Sequence, residues 1–183
     1  MKICVLGSHP ATRDQAPFDL PDWEIWACSP HNAPPHKVLP RVTRWYEVHP
    51  KAADPTREPA YLDYLQKLCR SIPVYMMDRS DHPAIQYPKE DMVSRYGAFF
   101  IDTSSIAYIM AHAIATIEDD RVASGPSTRR DVIGIWGCMQ ASAGEYTYQR
   151  PGIQYYAQMA HDRGIDVAVP EDSHLLTPQV LNF

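Results

Sequence analysis

The chain has 183 residues, enough for one domain that buries roughly 70% of the surface its unfolded form exposes. With 17 Lys and Arg against 22 Asp and Glu, a net charge of −5 and an isoelectric point near 5.9, it lacks the basic face with which a duplex nucleic-acid binder or an anionic-membrane binder releases counterions. Cys4, Cys28, Cys69 and Cys138 are far apart with no CxxC pair, so neither a disulfide framework nor a zinc or other metal site is expected.

The first element is a strand over Ile3 to Leu6. Its apolar run is broken by Gly7 and Pro10 and falls short of a signal peptide or a membrane span, so a soluble protein of a reducing, cytoplasmic compartment is expected. The turn Gly7-Ser8-His9-Pro10-Ala11-Thr12-Arg13 leaves this strand. A glycine there lets backbone N–H groups approach a phosphate closely, although a plain strand-ending turn explains one glycine equally well. Trp23 to Cys28 reads as the second strand, with Ser29, Pro30, His31 and Asn32 at its end. Pro34, Pro35 and Pro40 make the next stretch an irregular loop. Arg44 to Pro50 reads as a third strand, with Glu47 and His49 on one face. His49 is either a hydrogen-bonded structural residue or, at the ligand edge of a sheet, an acid–base group.

Pro59 to Arg70 is helical, with Tyr61, Leu62, Leu65, Leu68 and Cys69 at the spacing of one apolar face. Pro73 to Met77 is a fourth strand, left through the charged loop Asp78-Arg79-Ser80-Asp81-His82, either a cation site or a solvated turn. A short helix is expected within Pro88 to Tyr96, ended by Gly97. Ile106, Ile109, Met110, Ala113, Ile114 and Ile117 then mark the strongest amphipathic helix of the chain. Asp102, Thr103 and Ser104 are all N-cap types, and one of them must cap that helix. The remaining hydroxyls, Ser105 included, and the free helix amides offer a seat for phosphate or carboxylate. Glu118 to Arg130, polar and carrying Gly125-Pro126, reads as an exposed loop.

Val132-Ile133-Gly134-Ile135-Trp136 is short and β-branched, the pattern of a strand covered on both faces. Gly137, Cys138, Met139 and Gln140 lie just beyond its carboxyl end, and Glu145, Tyr146, Tyr148, Gln149 and Arg150 follow. A carboxylate, two phenols, an amide and a guanidinium within six residues suit a polar ligand. The alternative is a solvated loop whose tyrosines pack on the sheet. Pro151 to Arg163 is a helix with Pro151 as its first residue and Gly164 as its stop, and Asp166 to Pro170 is the last strand. Leu175, Leu176 and Leu181 of the tail are expected to pack back over the sheet. Strands alternating with helices predict a single Rossmann-like α/β domain over residues 1–183, with a mostly parallel sheet of five to six strands and helices on both faces.

Three stretches carry a resemblance: Gly7-Ser8-His9-Pro10-Ala11-Thr12, then Thr103-Ser104-Ser105-Ile106 with Ala113, then Ile133-Gly134-Ile135-Trp136-Gly137. They resemble the G-N-G-P-S turn, the T-S/T-G helix start and the G-x-D strand end of two groups of Rossmann-like transferases. These are the sialyltransferases of glycosyltransferase family 42 and the 6-hydroxymethylpterin diphosphokinase-like proteins. Ser8 and His9 stand where those motifs have asparagine and a second glycine, and Met139 where they have an acid. The stretch Thr103 to Tyr108 together with Glu145 to Gly152 is similar to small bacteriophage proteins of unknown function, which would place the chain in a host cytoplasm.

The resemblance implies a nucleotide-type small-molecule partner, with Mg²⁺ where that nucleotide carries it. The expected activity is a transferase using a sugar nucleotide or ATP on a small or nucleic-acid-derived acceptor. Ser8, Thr12, Arg13, Thr103, Ser104 and Ser105 are then candidates for phosphate, and Ser29 and Asn32 for the nucleoside. Gly7, His9, Gly137 and Gln140 complete the ligand edge. His49 or Glu145 is the candidate base, while Tyr148 and Arg150 would stabilise the leaving phosphate. Two rival readings keep the pocket: an N-glycosidase or deoxyribosyltransferase-like enzyme using Glu145, and a nucleotide-sequestering protein without turnover. The sequence leaves an oligomer open.

Overall fold

The apolar runs picked out by periodicity become strands packed side by side. In the computed structural model, which describes residues 1–49, 59–78, 83–125, 130–138, 146–171 and 173–176, the strands are β1 (Lys2–Leu6), β2 (Glu24–Cys28), β3 (Arg44–Glu47), β4 (Val74–Met76), β5 (Ile85–Gln86), β6 (Val132–Trp136) and β7 (Asp166–Ala168). They form one sheet in the order β5-β4-β3-β2-β1-β6-β7, with every neighbouring pair parallel. The helices are α1 (Pro10–Arg13), α2 (Pro59–Leu68), α3 (Lys89–Tyr96), α4 (Ser105–Ser124) and α5 (Tyr146–Asp162).

Alternation along each strand divides the core in two. Ile3, Val5, Ile133 and Ile135 face a layer built from α3, α4 and α5. Cys4, Leu6, Ile25, Trp45 and Val74 face the opposite layer, where Tyr61 and Leu65 of α2 cover them. The sheet is therefore covered on both faces, as the Rossmann-like α/β reading requires. Helix α4 packs on β1, β2 and β3 and is flanked by α3 and α5. Its burial accordingly extends beyond one stripe, and Ala107, Ala111 and Ala113 are as inaccessible as Ile109 and Ile114. No described helix is long and apolar enough to cross a membrane.

Four expectations change. The sheet has seven strands among the described residues, not five or six, because Ile85–Gln86 pairs with β4 although two residues are too few to show an alternation. The third strand ends at Glu47 and does not run on to Pro50. Residues 118–124, read as loop from their polarity, are the last two turns of α4. Their charges are anchored, Glu118 by Arg163 at 2.8 Å and Asp119 by Arg95 at 2.7 Å, while Gly125 ends the helix. Helix α5 starts at Tyr146, so Pro151 lies inside it and not at its first position. A proline there lacks the N–H for one helical hydrogen bond, and the sequence rule places such a residue at a helix start. Residues 79–82 of the charged loop, residues 126–129 and Leu181 of the tail lie outside the described residues.

Candidate functional site

The chain runs from β1 outward through β2, β3, β4 and β5, then returns through α4 to place β6 on the other side of β1. This reversal is the point where open parallel sheets bind ligands, beyond the carboxyl ends of the strands. Here the two central strand ends are cinched together. The Gly7 amide donates to the Trp136 carbonyl at 2.9 Å, the His9 amide donates to the Gly137 carbonyl at 2.8 Å, and the Gly137 amide donates to Thr12 Oγ1 at 2.9 Å. A Cβ at position 7 would lie 2.4 Å from the Gly137 carbonyl oxygen, and one at position 137 would lie 2.3 Å from that of Gly7. Glycine is needed at both positions because the two backbones touch, with Gly137 also at φ +66°.

Asn32 makes the corresponding tie on the other side, its Nδ2 donating to the carbonyls of Gly7 at 3.0 Å and Cys28 at 2.8 Å. Thr12 and Asn32 are thus fully buried braces of the cleft floor, and neither is among the residues that line the cleft. Between them Ser29 is held at φ 82°, ψ 130°, and its hydroxyl accepts from the His31 amide. Such a conformation costs a non-glycine residue about 1–3 kcal/mol and is concentrated at ligand sites.

Above this floor opens a cleft of about 1250 Å³. Ser8, His9, Arg13, Ser29 and His49 line it, as do Thr103, Ser104 and Ser105 across from them, so eight expected residues share one cavity with Gly7 and Gly137. Ser104 is the N-cap of α4, its hydroxyl accepting from the Ala107 amide at 3.1 Å. Thr103 is committed too. Its hydroxyl donates to the Phe100 carbonyl at 2.7 Å, and Gly152 of α5 packs so tightly on it that a Cβ there would fall 1.9 Å from Thr103 Oγ1. Ser105 and the first amides of a 20-residue helix remain to face the cleft, where the helix dipole favours an anion.

Two ionisable groups flank that helix start: Asp102, expected as a possible cap, and Lys89, which was not picked out from the sequence. Lys89 is paired with Asp102 at 2.8 Å, and the Tyr108 hydroxyl also donates to Asp102. Burial works to raise the Asp102 carboxyl, but the hydrogen bonds from Lys89 and Tyr108 prevail and hold it below its usual range. The same contact raises Lys89, and burial followed by the Asp102 hydrogen bond pushes the Tyr108 phenol up to about 12. On the opposite rim Asp14 accepts from Lys37 at 2.7 Å and from Arg13 at 3.1 Å, which lowers the Asp14 carboxyl. Arg13, Lys37 and Lys89 thus bring three cationic side chains to the cleft, each ion-paired, Arg13 and Lys37 with Asp14 and Lys89 with Asp102. Lys37 sits in the proline-rich loop and Lys89 follows the unread strand β5, so no pattern in the sequence marked them.

His49 enters from the end of β3. Its Nδ1 lies 2.9 Å from Glu47 Oε1, its amide donates to the same oxygen at 3.2 Å, and the Tyr61 hydroxyl donates to Glu47 Oε2 at 2.5 Å. Glu47 is 2% exposed while the His49 side chain is 51% exposed, so a buried carboxylate carries an accessible imidazole. Cys28 and Cys138 form an apolar part of the floor. Burial raises both thiols, Cys138 to about 12, so neither is a thiolate nucleophile near neutral pH.

The second half of the predicted catalytic set fares differently. Arg150 does not line the cleft. It is buried, with Nε donating to the Leu175 carbonyl at 3.3 Å and Nη2 to that of His174 at 2.6 Å, and so fastens the segment after β7 onto α5. Its neighbour Gln149 reaches the cleft instead. Gln140 and Glu145 lie outside the described residues, and Tyr148 is described only by its place in the first turn of α5. Among the described residues no group of three or more His, Cys, Asp or Glu is arranged to hold a metal ion. No protein-family model, curated protein or solved structure matches the chain.

Proposed function

We propose that the chain is a nucleotide-binding transferase, in which a nucleotide-activated donor, a sugar nucleotide or ATP, occupies the cleft and a hydroxyl-bearing acceptor meets it beside His49. The observation that carries this reading is the convergence of His49, an accessible imidazole held by a buried carboxylate, with the start of α4 and three ion-paired cationic side chains on a single cavity. The phosphates sit at the first amides of α4 and Ser105, with Lys89 on one side and Arg13 and Lys37 on the other. The strained turn at Ser29 borders the nucleoside. His49 takes the acceptor hydroxyl proton as the oxygen forms its bond to the donor, and the bond to the departing phosphate oxygen breaks. The electron pair leaves on the phosphate, where the cations and the helix start neutralise it.

The N-glycosidase reading depends on Glu145, so the described geometry lends it nothing. The test is a thermal-shift screen against nucleotides and nucleotide sugars with and without Mg²⁺, followed by mass spectrometry of the binding compounds with hydroxyl acceptors. A nucleotide that raises the melting temperature and is consumed supports the proposal. His49→Gln should keep the thermal shift and lower turnover about 10²–10⁴-fold. Binding without consumption would favour the sequestering alternative, and no shift from any nucleotide would remove both.

A further inference from the structure

We propose that Glu47 and Tyr61 are positioning residues that fix His49, which lines the cleft, in the tautomer with its proton on Nδ1, so that Nε2 is the ring nitrogen able to accept. The inference rests on His49 being the base of the reaction proposed above.

The direction of the hydrogen bonds follows from the end farthest from the cleft. The Trp45 indole N–H approaches the Tyr61 oxygen at 3.3 Å, and an indole nitrogen can only donate. The Tyr61 oxygen therefore accepts, and its own proton points to Glu47 Oε2 at 2.5 Å. Glu47 Oε1 in turn accepts from the His49 amide at 3.2 Å and lies 2.9 Å from His49 Nδ1. Two donors of fixed direction, the His49 amide and the Tyr61 hydroxyl, converge on this buried carboxyl group and favour its ionised form against the cost of burial, and an ionised carboxylate can only accept. His49 must then donate through Nδ1. The polarity set by Trp45 is transmitted through Tyr61 and Glu47 to a ring two residues beyond the end of a strand.

The chemistry requires such an arrangement. A histidine ring in water prefers its neutral proton on Nε2, which would leave the outward nitrogen unable to accept from an acceptor hydroxyl. The Glu47 carboxylate at Nδ1 reverses that preference and stabilises the imidazolium formed when Nε2 takes the proton. Tyr61 is 1% exposed and comes from α2, so the orientation of the ring is tied to the packing of that helix on the sheet.

The test uses the full-length protein labelled with ¹⁵N and two-bond proton–nitrogen correlations of the histidine rings, with His49→Gln identifying the His49 signals. In neutral His49 the expected pattern is a protonated Nδ1 and an unprotonated Nε2, with no ligand required. Tyr61→Phe, which keeps the ring in the core, and Glu47→Gln should both shift the population toward the opposite tautomer. Where turnover has been found, both variants should lower kcat about 10–100-fold with KM unchanged. Wild-type His49 with its proton on Nε2, or a Tyr61→Phe protein with unaltered tautomer and kcat, would overturn the proposal. The nitrogen spectra decide the positioning without any substrate. An expected spectrum in a protein that consumes no donor would sustain the positioning and defeat the functional reading instead.

Discussion

Lowering the pH below 6.5 should destabilise this protein through one histidine. His112, on the inner face of α4, sits among Trp26, Tyr46, Tyr75 and Tyr87, with ring centroids 4.6 to 5.8 Å away, and its Nδ1 is 2.9 Å from the Tyr46 hydroxyl. Burial among these rings, helped by the nearby Arg44 charge, lowers its pKa from 6.5 to about 4. Since the folded value is depressed, the unfolded chain binds the proton first, and stability present above pH 6.5 is lost as the pH falls toward 4. At about 1.4 kcal/mol per pH unit, the loss at pH 5 relative to neutral pH is about 2 kcal/mol, a large share of a typical domain's stability. The assay is urea unfolding at pH 7.5, 6, 5 and 4.5 for the native chain and for His112→Gln, which keeps an acceptor for Tyr46 but cannot titrate. Comparing slopes rather than absolute values removes the packing cost of the substitution. Equal pH dependence in the two proteins between pH 6.5 and 4.5 would refute the reasoning.

Two packing predictions follow from the sheet centre. Gly134→Ala would place a Cβ 2.0 Å from the Trp136 ring, which is itself backed by Trp23 at 5.4 Å, so a loss of about 1–3 kcal/mol is expected in urea unfolding. An unchanged midpoint would mean that the Trp136 ring moves freely. Thr12→Val keeps the shape of a side chain that is 1% exposed but removes the acceptor of the buried Gly137 amide, which should cost about 1–3 kcal/mol. Amide hydrogen exchange at Gly137 should accelerate in that variant, and native-like protection would show that the bond is dispensable.

Much of the fold was legible because a parallel sheet buried on both faces demands dense apolar runs, and Ile3 to Leu6 and Val132 to Trp136 supply them. Lys89–Tyr96 was equally plain from Pro88 before it and Gly97 after it. The polar end of α4 was not, since it is anchored by ion pairs with Arg95 of α3 and with Arg163 in the turn after α5, both distant in sequence. At the site, Ser8, His9, Ser29, His49 and Ser104 fall together because a parallel sheet puts every strand's carboxyl end on one edge. Whether a polar side chain on that edge faces ligand or backbone depends on partners distant in sequence. Thr12 turns to Gly137 and Arg150 to His174 and Leu175, contacts that no local pattern encodes. The burial of Glu47 was hidden for the same reason, as it is completed by Tyr61 of α2.

The middle position of β1 has a consequence for how the chain is made. Its partner on one side, β2, follows within about twenty residues, but on the other side Leu6 pairs with Trp136, 130 positions later. At ordinary translation speeds the flank of β1 reserved for β6 waits on the order of ten seconds before that strand leaves the ribosome. Throughout that interval the nascent protein carries an open, apolar sheet border suited to pairing with any extended segment nearby. Shielding of that border during synthesis is then a requirement separate from the strength of the finished core.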